Sequence, residues 1–128
     1  MRTPNPVNIA AIDHIVLTTT QPEKMLHFYV DVLGCKPERQ AESLGLIQMR
    51  AGNALIDLLI TDESCGDKCH NTDHFCLRLA PWDEALILAH LDAHQISYSD
   101  VAVRYGANGR GSAVYIADPE GNTVELRQ

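Results

Sequence analysis

Two histidines and two carboxylates carry the chemistry that this chain could do. Asp13-His14 and Asp73-His74 each lie in a short β-rich run, while Asp57 and Glu125 each follow a Gly-Asn turn signal, Gly52-Asn53 and Gly121-Asn122. Two imidazoles with one or two carboxylates suit a divalent metal such as Fe, Mn, Ni, Co or Zn. With two histidines, one carboxylate and open positions, non-haem Fe(II) fits particularly well. Taken singly, a histidine on a strand is more often an ordinary core or surface residue; recurrence at matching positions makes these four a set. A metal held this way binds a carbonyl or two vicinal oxygens and acts as a Lewis acid while a neighbouring C–H loses its proton. Glu125 or Asp57 is then the candidate base and Tyr115 the candidate hydrogen-bond donor to a substrate oxygen. No Ser/His/Asp or Cys/His nucleophile set is visible, which argues against covalent hydrolysis.

These side chains need strands to hold them, because a carboxylate on a strand is aimed more rigidly than one on a loop. Asp118-Pro119-Glu120-Gly121 is a strong turn signal between β-rich runs, so Tyr115 and Glu125 fall on the two arms of a predicted hairpin. The first half reads as a strand over 12–19, then a helix. Thr20 with Glu23 predicts a capping box, Pro22 fits the first turn, Met25, Phe28, Tyr29 and Val32 recur at helical spacing, and Gly34 supplies the stop. Three strand-like runs follow over 36–42, 44–50 and 53–60.

The polar loop 61–71 marks a seam, after which the pattern begins again. A strand is expected over 72–80 and a helix from an Asp83 cap to about 95, with Trp82 and Ile87 placed as a hydrophobic staple. Three closing strands are expected over 98–105, 112–117 and 122–127. The order is β-α-β-β-β twice, in repeats of about 10–60 and 72–128 that make one domain of class α+β. Local sequence supports the repeat. Ile12-Asp13-His14-Ile15 reappears as Thr72-Asp73-His74-Phe75. Gly52-Asn53-Ala-Leu-Ile-Asp57-Leu reappears as Gly121-Asn122-Thr-Val-Glu125-Leu, with one extra residue in the first copy.

Composition narrows the partners. A chain of 128 residues with 45% hydrophobic and 21% charged residues fits one ordinary globular domain. A net charge of -7 argues against nucleic acid or an anionic membrane, and no apolar run approaches the roughly 20 residues of a membrane span. Residues 1–9 read as a short disordered arm without the apolar stretch of a signal peptide, so a cytoplasmic location is expected, with Cys35, Cys65, Cys69 and Cys76 reduced.

The doubled β-α-β-β-β pattern, Ile12-Asp13-His14-Ile15, Phe28-Tyr29-x3-Leu33-Gly34 and the closing Asp118-Pro119-Glu120-Gly121-Asn122-x2-Glu125-Leu126 resemble the vicinal oxygen chelate superfamily. This group includes glyoxalase I, extradiol dioxygenases, methylmalonyl-CoA epimerase, fosfomycin-resistance and bleomycin-binding proteins. The resemblance spans nearly the whole chain and is closest to the small glyoxalase-domain-containing proteins. It implies two modules forming a cupped mixed sheet with helices outside, one divalent metal ion (Ni, Zn, Co, Mn or Fe), a small-molecule substrate and usually a homodimer. By position it implies His14, His74 and Glu125 as ligands. Asp57 stands nearest to the fourth ligand of glyoxalase I, but is one methylene shorter and displaced by one residue. The leading expectation is a glyoxalase I-like lyase or isomerase working by proton transfer through an enediolate. Extradiol dioxygenases instead use two histidines, a glutamate and a tyrosine ten residues before it, a spacing that Tyr115 and Glu125 share. A non-catalytic drug-binding or resistance protein is the third alternative. Fosfomycin-resistance proteins carry a threonine two residues after the first histidine, where this chain has Val16.

Other groups carry less. Cys65-x3-Cys69-His70-x3-His74 has no common structural-zinc spacing. His90 and His94 share a helix face and suit its C-terminal end as solvent-facing residues, and His27 reads as a surface residue. Gly106-Ala-Asn-Gly109-Arg110-Gly111 lacks phosphate-loop spacing. It reads either as a mobile lid, with Arg110 contacting an anionic substrate, or as a plain hairpin tip.

Overall fold

Alternation of apolar and polar residues along the strands builds two sheets, each with one face turned to a shared core. The computed structural model describes residues 11–12, 14–62 and 74–128. The first sheet contains β1 (His14–Thr19), β2 (Lys36–Ala41), β3 (Leu46–Ala51) and β4 (Ala54–Ile60) in the order β1-β4-β3-β2. The second contains β5 (His74–Arg78), β6 (Ala102–Gly106), β7 (Gly109–Ala117) and β8 (Thr123–Arg127) in the order β5-β8-β7-β6. In each, the first strand runs parallel to the last and the other pairs are antiparallel. The parallel strand is reached through a helical crossover: α1 (Pro22–Leu26), continued by a π-helix over His27–Val32, in the first half, and α2 (Glu84–Ala93) in the second. The two sheets are topological copies, and β1 and β5 are edge strands.

The core joins both halves. Leu17, Met49, Ile56 and Leu58 from the first sheet, Val114, Ile116, Val124 and Leu126 from the second, and Met25, Phe28, Tyr29, Val32 and Leu91 from the helices form one buried cluster. Polar ties reinforce the join. Tyr29 donates a 2.7 Å hydrogen bond to Asp118, the Gln21 side chain donates to the Pro119 carbonyl at 2.8 Å, and the Thr20 N–H donates to Glu120 at 3.0 Å. Asp118 also accepts from the N–H groups of Glu120 and Asn122, so the Asp-Pro-Glu-Gly turn is held by its own first residue.

Several local expectations are corrected. The capping box at Thr20 and Glu23 does not form: the N-cap is Gln21, and the Thr19 hydroxyl accepts from the Gln21 N–H at 2.9 Å. Helix α2 keeps its Asp83 cap, accepting from Leu86 N–H, but ends at Ala93. Gln95 adopts φ 59° there, and the Ile96 N–H turns back to the Leu91 carbonyl, closing the helix. Strand β6 begins at Ala102 and not at Tyr98; upstream of it the Ser99 N–H donates to the Tyr115 carbonyl, while the Tyr115 N–H donates to the Ser99 hydroxyl. Strand β7 begins at Gly109, earlier than expected, so Tyr105–Arg110 and Arg104–Gly111 are ladder partners. The glycine-rich stretch is thus mostly a paired hairpin with a tip at 107–108. The N-terminal arm, Asp13, Asp73, the Cys65-Cys69-His70 cluster and most of the seam lie outside the described residues. No helix among the described residues is long and apolar enough to cross a membrane.

Candidate functional site

On the face of the second sheet turned away from the core, β8 places Glu125 between two neighbours. Cys76 is its partner on parallel β5, and Tyr115 its partner on antiparallel β7. His74, two residues before Cys76, reaches the same carboxylate: its Nε2 lies 3.5 Å from Glu125 Oε1. The His74 and Tyr115 rings meet edge to face, with centroids 5.8 Å apart and planes at 85°. Glu125 is only 6% exposed, and His74 closes one side of it. Cys76 is the site residue that the sequence reading passed over. Its thiol donates to Glu125, and burial, followed by the Glu125 charge and this hydrogen bond, pushes its pKa up to about 12. A signal for it existed: it stands two residues after His74, as Val16 does after His14.

The first sheet repeats this arrangement. Asp57 on β4 has Val16 as its parallel partner and Gln48 as its antiparallel partner, with His14 two residues before Val16. By ladder position His14, Val16, Gln48 and Asp57 therefore correspond to His74, Cys76, Tyr115 and Glu125. The extra residue between Gly52-Asn53 and Asp57 is taken up at the turn, so Asp57 and Glu125 are in register despite the sequence offset. Asp57 is 3% exposed, and both carboxylate oxygens accept from Gln48 Nε2, at 3.3 and 3.2 Å.

The structure thus gathers His74, Tyr115 and Glu125 with Cys76 on one sheet, and sets His14 with Asp57 on the other. Among the described residues, no three His, Cys, Asp or Glu side chains converge as a metal-holding group. The donors of the second sheet nevertheless fit one edge of a metal site. Two ligands each about 2.1 Å from a tetrahedral ion stand roughly 3.4 Å apart, close to the His74–Glu125 separation. Arg110 is a ladder partner of Tyr105 and alternates with Gly111, which puts it on the opposite face from Arg104 and Glu125. A cavity of about 950 Å³ runs along the free edge of β5, lined by Ile15, Leu33, Leu55, Phe75 and Leu77 and reaching His74 and Cys76.

Comparison with known proteins agrees with this architecture. Residues 11–126 match the family model of the glyoxalase/bleomycin resistance protein/dioxygenase superfamily. An integron cassette protein from the mobile metagenome of V. cholerae superposes with a TM-score of 0.77 at 25% identity, over 94% of this chain and 96% of that one. A virulence protein from Salmonella typhimurium gives 0.78 at 25% identity, over 95% and 98%. A lactoylglutathione lyase from Agrobacterium tumefaciens shares the fold at 24% identity, with a TM-score of 0.67 over 94% of each chain. No curated protein matches the chain.

Proposed function

Because the chain belongs to the glyoxalase/bleomycin resistance protein/dioxygenase superfamily, we propose that it is a metal-dependent lyase or isomerase of the glyoxalase type, acting on a small oxygenated molecule. The observation that carries this reading is the 3.5 Å approach of His74 to a buried Glu125 whose ladder partner is Tyr115. His74 and Glu125 would hold the divalent ion (Ni, Zn, Co, Mn or Fe), with His14 and Asp57 as the matching pair from a first sheet. When bound, such an ion supplies Lewis acidity toward the substrate oxygens.

The chain's own groups account for the proton traffic. Glu125 removes a proton from the carbon beside the substrate carbonyl and, after exchange of its carboxyl proton with solvent, returns one to the neighbouring carbon. Tyr115 donates a hydrogen bond to the oxygen that gains negative charge. The Cys76 thiol, held protonated, orients the carboxylate from the other side.

A homodimer is part of the proposal. Among the described residues β1 and β5, like β2 and β6, are edge strands with one ladder neighbour each, and such edges invite pairing with another chain. Pairing the β1 edge of one copy with the β5 edge of another would bring a His14–Asp57 face beside a His74–Glu125 face. A reducing compartment such as the cytoplasm suits a site with a thiol against its carboxylate.

One observation favours a second reading. Both Asp57 oxygens are engaged by Gln48, which leaves His14, His74 and Glu125 as a two-histidine, one-carboxylate set suited to an Fe(II) extradiol dioxygenase. One experiment separates the two. The metal content of the purified protein is measured, then deuterium uptake from D2O into the hemithioacetal of methylglyoxal, and oxygen uptake with catechol. Isotope exchange that is restored by added metal and lost in Glu125→Gln supports the isomerase. Iron-dependent oxygen uptake sinks it.

A further inference from the structure

On the same face of the second sheet, the row beyond Glu125 is cationic. Arg127 follows Glu125 by two residues on β8, so it faces the same way roughly 7 Å further along. Its ladder partner on β5 is Arg78. Arg104, on the same face of β6, is the partner of Gly111 and so stands one row further on, since Ala113 and Ala102 occupy the Arg127 row. We propose that Arg78, Arg104 and Arg127 take the anionic group of the substrate, a carboxylate, phosphate or phosphonate, while Glu125 and Tyr115 face its reacting oxygens.

Three observations carry this. First, Arg127 is only 6% exposed, and its hydrogen bonds go to main-chain oxygens, those of Gly109 at 2.8 Å, Arg104 at 3.3 Å and Gln128 at 3.3 Å. Carbonyls such as those of Gly109 and Arg104 meet the directional demand of a guanidinium without cancelling its charge. Among the described residues, none of the three arginines has an Asp or Glu carboxylate within 4.0 Å. Second, the sheet makes room for the group. A Cβ on Gly111 would stand 3.2 Å from Arg127 Nη2, so the guanidinium lies across β7 where a side chain would otherwise be. Third, the fold does not require these cations. The corresponding pair in the first sheet is Thr18 and Leu59, and Leu46 stands beside Leu59 where Ala113 stands beside Arg127.

The recognition chemistry follows from the residue type. Guanidinium groups bind carboxylate and phosphoryl oxygens through paired N–H donors, and a local cationic row offsets the repulsion that a net charge of -7 imposes on an anion. The predicted substrate class is a small anion with its acidic group at least about 7 Å, the two-residue rise of a strand, from a carbonyl or vicinal diol.

The proposal rests on this face being the substrate face, and its test reads binding apart from turnover. Inorganic phosphate is titrated into the full chain at constant ionic strength, with arginine side-chain Nε–H resonances followed by NMR. Saturable shifts at Arg78 and Arg127 are expected, with affinity reduced about tenfold or more in Arg78→Gln, an exposed position whose change spares the fold. His74→Ala should keep phosphate binding while losing metal. Absence of saturable shifts, unchanged affinity in the Arg78→Gln, Arg104→Gln double variant, or loss of phosphate binding in His74→Ala each overturns the proposal. If phosphate binds as expected but no isotope exchange is found with any metal, the reaction assigned above fails and the anion site stands.

Discussion

Tyr29, in the helical crossover of the first half, donates a 2.7 Å hydrogen bond to Asp118, which organises the turn between β7 and β8. The bond links the two halves at the base of the hairpin that carries Glu125. Burial, then the Asp118 charge and the hydrogen bond to it, raise the Tyr29 pKa well above the usual tyrosine range. A folded pKa above the unfolded value gives stability that is complete below about pH 10 and lost as pH rises further. Tyr29→Phe should cost about 1–2 kcal/mol in urea unfolding at pH 7, and should flatten the loss of stability above pH 10. An unchanged midpoint at both pH values would contradict this role.

Cys76 is accessible and yet should be a poor nucleophile. With its pKa pushed up to about 12, little thiolate is present at pH 8. Alkylation by iodoacetamide, mapped by mass spectrometry, should run at least about tenfold slower than for a free thiol. Removing the carboxylate charge in Glu125→Gln should speed it, because the charge and the hydrogen bond both favour the protonated thiol. Equal rates in both proteins would separate Cys76 from Glu125.

The two acidic residues should behave differently. Glu125→Gln should abolish metal binding measured by calorimetry, since it removes the carboxylate that His74 approaches. Asp57→Asn tests whether Asp57 is also a ligand. A drop in metal affinity of about tenfold or more marks it as one, whereas unchanged affinity with altered stability marks a carboxylate kept for Gln48.

Gly111→Ala probes the packing of Arg127. The added methyl would meet Arg127 Nη2 at 3.2 Å and the Gln128 backbone oxygen at 3.3 Å, and the backbone atom gives way less easily. A loss of about 1–3 kcal/mol in thermal or urea unfolding is expected. Gly109 has nothing within 4 Å of such a methyl, so any cost there would come only from its φ of +96°.

The repeat, the element order and the placing of Tyr115 and Glu125 on the two arms of one hairpin were legible in the sequence, because alternation and turn residues are local signals. What was not legible came from contacts between distant segments. Cys76 looked unremarkable until β5 was seen paired with β8, and Arg127 gave no sign of its burial. The offset of Asp57 looked like a departure, because counting from the Gly-Asn turn measures turn length, whereas the β1–β4 ladder measures position. The expected strand from Tyr98 failed for a similar reason. Apolar alternation was present, but at Ser99 the hydroxyl accepts from the Tyr115 N–H while the Ser99 N–H bonds the Tyr115 carbonyl, and the strand starts later, at Ala102.

The matched ladders give this molecule an internal control. At each register position one half shows what the scaffold tolerates, and the other shows what has been placed upon it. Val16 against Cys76, Gln48 against Tyr115 and Leu59 against Arg127 are thus substitution experiments already carried out within one chain. Exchanging such residues between the halves tests reactivity without asking the backbone to accept anything it does not already hold.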